Sequence, residues 1–269
     1  MNVFSLELRG MLKSAFSWTL SVSGAIVLML AFYPSMQTEA MQALANAKLE
    51  GIDPAVLAML GLAAMPDFTV ITNFFGYVLQ FITLALMVFA THGAALLLVK
   101  EESEGTIEYL YAKPVTRGAI LFQKSLAHLA VFVSMLLIFV LVTVAGYLSF
   151  SDFTLLESLK EALVLYGAVL FVGCIFSSVG LLFSALLTSS RSASGTAVGI
   201  VFGTFVLGAI SAMVKELDFF IYLSPLDWIK TQKLMSVGLR PAEWAIGLVF
   251  MLGCPLAAWG IYKRKDLLV

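Results

Sequence analysis

The sequence predicts an all-α fold, a polytopic membrane protein crossing the bilayer six times, and three observations carry that prediction. First, 61% of the 269 residues are hydrophobic and only 12% charged, about half the roughly 25% charge of soluble domains. Second, the charges are clustered and leave six long apolar runs, at about 15–33, 74–99, 125–150, 162–188, 194–214 and 243–262. Each approaches or exceeds the ~20 apolar residues that a helix needs to cross a hydrocarbon core of about 30 Å. Third, the basic residues alternate between the two sets of connections. The set holding both termini carries ten basic and six acidic residues, a net +4, and the other carries six and eleven, a net −5. The positive-inside rule places the first set, with both termini, in the cytoplasm. The chain reads as one transmembrane domain, 1–269.

The elements follow in order. Ahead of the first run, Phe4, Leu8, Met11, Leu12 and Ala15 recur at helical spacing, opposite Glu7, Arg9, Lys13 and Ser14. That pattern predicts an N-terminal interfacial helix. It is not a cleavable signal, because it has acid and base ahead of the apolar run and no small-residue cleavage site. Trp18, Tyr33, Trp244, Trp259 and Tyr262 fall near run ends, where amphipathic rings favour the headgroup zone. The outer connections are structured. Asp53 caps a short helix with Pro54 at its first position, and Thr154 with Glu157 forms a capping box. Ser224 caps another helix that Pro225 opens and Gly238 stops, with Asp227 three residues after the cap. Trp228 places that helix at the outer interface or dipping into it. In span four, Gly173, Ser177, Gly180 and Ser184 share a face suited to close packing within the chain. In span five, Gly195, Gly199 and Gly203 recur at i+4 and allow another helix to approach closely. Either a second copy or one of this chain's own helices fits that face.

Several function classes are excluded or disfavoured. A net charge of −1 with no basic face leaves no footprint for nucleic acid. Cys174 and Cys254 lie inside apolar runs and read as buried thiols, not a disulfide or metal site. No HExxH occurs, the serines at 192–195 lack the first glycine of a nucleophile elbow, and Gln123 stands where a phosphate loop requires glycine. By these boundaries no Asp, Glu, Lys or Arg lies deep in a span, which disfavours an unaided ion-coupled carrier. His92 reads as hydrogen-bonded to a neighbouring helix, and His128 sits near the cytoplasmic end of span three.

One stretch resists the lipid-facing reading. KEESEGTIEYLYAKPVTRGAILFQK, residues 100–124, is densely charged between two apolar runs. SEGTIEYLYAK has the pattern of about three helical turns ending at Pro114, whose predecessor avoids the α region. Ile107, Leu110 and Tyr111 share one side, Glu104 and Glu108 another. Thr116 caps the next helix. A short cytoplasmic helix joined tightly to two spans would act as a lever.

This segment resembles the cytoplasmic segment of ABC-2-type ABC transporter permeases. Those run an acidic cluster, Gly-Thr, a short helix, Pro-Val-Ser/Thr-Arg and a later lysine. The matching positions are Glu102, Glu104, Gly105, Thr106, Glu108, Pro114, Val115, Thr116, Arg117 and Lys124. The six-span layout and the Leu-Ser-Pro in the last outer loop are similar too, and the AVLAMLG stretch resembles a bacterial branch of drug or antibiotic exporters. The resemblance implies that 104–117 is a coupling helix docking in a groove of a separate ATPase subunit. Tyr109 and Tyr111 would fill a pocket, and Glu104, Glu108, Lys113 and Arg117 would pair around its rim. It implies no catalytic residue, metal or cofactor in this chain, with ATP and Mg held by the partner. It further implies a second permease, identical or homologous, and a bacterial or archaeal inner membrane. The competing classes are a membrane scaffold or receptor that recruits a cytoplasmic partner, and a stand-alone carrier.

Overall fold

Long apolar runs in a medium without water must satisfy their backbone internally, and the chain does so as helices. The computed structural model describes residues 3–39, 56–57, 67–105 and 115–265. Six long helices are each apolar enough to cross a membrane. They are α1 (Val3–Met36), α2 (Ile71–Ser103), α3 (Arg117–Phe150), α4 (Leu155–Leu186), α5 (Ser190–Met213) and α6 (Pro241–Arg264). No strand occurs among the described residues. The first four helices have 32 to 34 residues, about 50 Å at 1.5 Å per residue, and so outrun the hydrocarbon core. The N-terminal amphipathic segment is helical and continues into the first span without a break.

Helices α2 and α4 form the centre, with α1 against α3, α5 against α2 and α6 against α4. Small residues make the central seam possible. A Cβ at Gly180 would overlap the Thr91 carbonyl oxygen, and one at Gly173 would overlap the Phe132 ring. Ser184 Oγ accepts from the Leu98 amide at 2.8 Å, and Ser177 Oγ lies 3.2 Å from His128 Nε2. The small-residue face of span four therefore packs within the chain, as expected. Cys174 and Cys254 are free and half-buried.

The ends of the described residues, Val3 and Lys265, lie at one end of the bundle, here called proximal. At the other, distal end, the capping box is present. Thr154 N donates to Glu157 Oε2 at 2.8 Å and Glu157 N to Thr154 Oγ1 at 3.3 Å. It opens α4 itself at Leu155, so the predicted outer strut is the first two turns of the span. The helix predicted from Ser224 to Gly238 is instead two short pieces, Pro225–Trp228 and Thr231–Ser236, preceded by a 3-10 helix, Lys215–Leu223. Ser224 caps nothing with its side chain. Its hydroxyl donates to Asp227 Oδ2 at 2.6 Å, because a carboxylate is a stronger acceptor than backbone. Gly238, at φ 71°, does stop the second piece, with its N–H on Leu234 O at 3.0 Å.

Trp228 does not sit at an interface: it is 0% exposed, its indole N–H on Ile221 O at 2.7 Å. Tyr33 and Tyr262 are buried as well, unlike Trp244 and Trp259, which are exposed. A ring near a span end faces inward where its polar atom finds a protein partner, and Tyr33 donates to Thr69 O. The Asp53–Pro54 cap lies outside the described residues.

Candidate functional site at the ends of the polar segment

Glu101, Glu102 and Ser103 close the last turn of α2. Successive helical residues point about 100° apart, so three in a row reach three directions. Glu101 pairs with Lys124 of α3. Glu102 pairs with Lys265, just past α6, at 2.7 Å. Ser103 Oγ meets Ser190 Oγ of α5 at 2.9 Å. Two lysines extend this reach. Lys124, 1% exposed, also binds Glu7 of α1 at 3.1 Å and Leu97 O at 2.6 Å. Lys265 Nζ also donates to Leu187 O, past the end of α4, at 2.9 Å. The end of α2 is thereby bonded to every other long helix, directly or through one lysine.

The far side of the segment is anchored similarly. Thr116 caps α3 as expected, accepting from Ala119 N at 3.2 Å. Arg117, the first residue of α3, donates to the carbonyls of Tyr262, Lys263 and Lys265 at 3.0, 3.2 and 2.9 Å. These are orphan acceptors at the negative end of α6, where a cation is favoured. The guanidinium also lies 5.9 Å from the Tyr262 ring centroid, a cation–π distance. Gln123 Oε1 accepts from Phe4 N at 3.2 Å, tying the start of α1 to α3.

The predicted site residues divide accordingly. Thr106, Glu108, Tyr109, Tyr111, Lys113 and Pro114 lie outside the described residues. Glu104 and Gly105 belong to the end of α2, not to a new helix beginning at Ser103. Ser103 is the last residue of α2, Glu104 N bonds Lys100 O at 2.9 Å, and Gly105 turns left-handed at φ 67°, the conformation glycine adopts without a Cβ clash. Arg117 stands at the start of α3 and holds the end of α6 through its three carbonyl bonds. Glu7, Glu101 and Lys265 were not singled out from sequence. Their one legible signal is Lys124 at the edge of an apolar run, since a buried ammonium needs a counter-charge.

Gly195, Gly199 and Gly203 are exposed on α5, and a Cβ on any of them would meet nothing within 4 Å. None of the described helices fills that face. His92 Nε2 meets Ser194 Oγ of α5 at 3.0 Å, the expected neighbour-helix bond.

Across the whole of this architecture, residues 1–267 match the family model for ABC-2 family transporter proteins. The chain belongs to the ABC-2 transporter family. It is a multi-pass membrane permease of an ABC transporter, and the bonded ends of α2 and α3 flank its polar segment. No curated protein matches this ABC-2 chain.

Proposed function

We propose that this ABC-2 permease is the membrane subunit of an ATP-driven exporter, driven by a separate ATPase subunit that docks on residues 104–117 from the cytosol. One observation carries the reading: both ends of that segment are anchored, and the α2 end is bonded to all the other long helices. A displacement there is delivered to the bundle as a whole. That is what an external motor requires of its transmission, because a rigid packed element shifts between discrete arrangements and does not deform locally. The chain supplies no catalytic group, and ATP with Mg is held by the partner.

The proximal end, with the ten basic residues of its connections, is the cytoplasmic one. The open face of Gly195, Gly199 and Gly203 favours close pairing with a second permease, identical or homologous, over packing within the chain. Closure of two ATPases around ATP would then switch the space between the paired bundles from inward- to outward-facing.

The test is affinity purification in mild detergent. A soluble subunit with a phosphate loop should accompany the wild-type chain and be lost on Tyr111→Ala or Gly105→Val, with membrane insertion unchanged. Variants that keep the ATPase and transport normally would refute the docking assignment. Recovery of a different cytoplasmic partner would favour a scaffold.

A further inference from the structure

A groove opens between α1, α2 and α5 toward the proximal end, enclosing about 470 Å³, within the range of small-molecule sites. Its wall is apolar and aromatic, including Trp18, Phe89, Leu96 and Val198. Trp18 and Phe89 pack with centroids 5.5 Å apart. Along α2 it runs from Val88 to Lys100, a depth of roughly 18 Å at the helical rise. It is therefore deep enough for a chain, with Lys100 at its proximal end.

The charges at the proximal end decide what fits. The one carboxylate on the lining, Glu7, is already engaged by Lys124 at 3.1 Å. His92 is engaged by Ser194, and His128 by Ser177. Lys100, the one ammonium on the lining, is exposed and makes no ion pair among the described residues. Lys13 lies on an adjoining hollow that shares Gly10, Ser14 and Trp18 with the groove. The unpaired charge on the lining itself is thus positive, above an apolar floor. Glu104, a turn beyond Lys100 and also without an ion pair among the described residues, lies off the lining.

We propose that this groove binds an amphiphile with a single anionic head, phosphate or carboxylate, at Lys100 and an apolar chain along Trp18 and Phe89. Resting on the permease reading, this makes the groove the place where cargo is loaded from the cytoplasmic side. The head chemistry is shared by phospholipids of the bilayer and by a separately supplied amphiphile.

The experiment uses the full chain in phosphatidylcholine nanodiscs, with exposed Trp244 and Trp259 replaced by Phe. Quenching of Trp18 by 11-bromoundecyl phosphate is compared with quenching by 11-bromoundecyltrimethylammonium. The phosphate probe should saturate and bind roughly fivefold tighter or more, as charge-assisted bonds allow. Lys100→Gln should abolish that preference and Val198→Phe should weaken both probes. Competition by added phosphatidylglycerol would assign the site to bilayer lipid, and its failure to compete to a separate amphiphile; either outcome sustains the site. Non-saturating quenching that Val198→Phe leaves unchanged would mean partition into lipid and overturn the proposal. Equal binding of the ammonium probe would also overturn it, as would displacement by inorganic phosphate at equal concentration. No ATPase is present, so failure here leaves the docking reading standing, and loss of the ATPase leaves this one.

Discussion

The two ends of the bundle are both polar, yet they are bonded in opposite ways. Most distal bonds are local: Thr154 with Glu157, Asp227 with Lys230, Arg240 N with Glu243, and Lys233 with Glu243. The first three finish one helix or one turn, and the fourth joins a short helix to the start of α6 only ten positions on. Proximal bonds join residues far apart, such as Glu102 with Lys265 and Arg117 with Tyr262, separated by 163 and 145 positions. One end caps helices individually and the other ties them together. Only the second arrangement passes a local displacement on to every span.

The largest effect is expected where the long-range ties meet. Lys124→Met leaves Glu7 and Glu101 without their shared cation, and loss of one partner from a buried ionic cluster costs about 3 kcal/mol or more. Thermal unfolding in detergent measures it, and adding Glu7→Gln and Glu101→Gln should restore most of the loss. If Lys124→Met is neutral, the proximal end is no more integrated than the distal one.

Next comes a pair of glycines. Gly180→Leu drives a side chain into the Thr91 carbonyl at the α2–α4 seam, an overpacking cost of about 1–3 kcal/mol. Gly199→Leu meets open space and should leave monomer unfolding unchanged while reducing the paired fraction by analytical ultracentrifugation. Equal unfolding effects would erase the difference between a filled and an open face.

At the distal end, Thr154→Ala removes one cap and should cost about 1 kcal/mol. That loss should leave ATPase association unaltered, which copurification checks directly.

The smallest effect concerns pH. Thr69 donates its hydroxyl at 2.6 Å and its amide at 2.9 Å to Asp67 Oδ1, holding that carboxyl below its ordinary value of 3.8. Because the folded value is the lowered one, this turn's contribution is complete above the ordinary value and fades as pH falls through the lowered one. Protection of the Thr69 amide, its hydrogen exchange relative to the intrinsic rate at each pH, should be unchanged down to pH 5 and fall only below about pH 4.

What the sequence determined by itself is what depends on neighbours a few positions apart. The six spans follow from apolar runs, the caps at Thr116 and Thr154 from a hydroxyl placed before a helix, and the stop at Gly238 from a residue free to turn left-handed. Even the close packing of span four was legible, since glycine and serine on one face allow a neighbour to approach. Tertiary structure alone decided that Lys124, Arg117 and Lys265 join distant helices, that Tyr33, Trp228 and Tyr262 face inward, and that the α5 glycines face away from the chain. Lipid-facing and helix-facing surfaces are built from the same apolar side chains, so periodicity does not separate them. A bond between residues 145 positions apart depends on helix order and rotation in the bundle, which no local pattern carries.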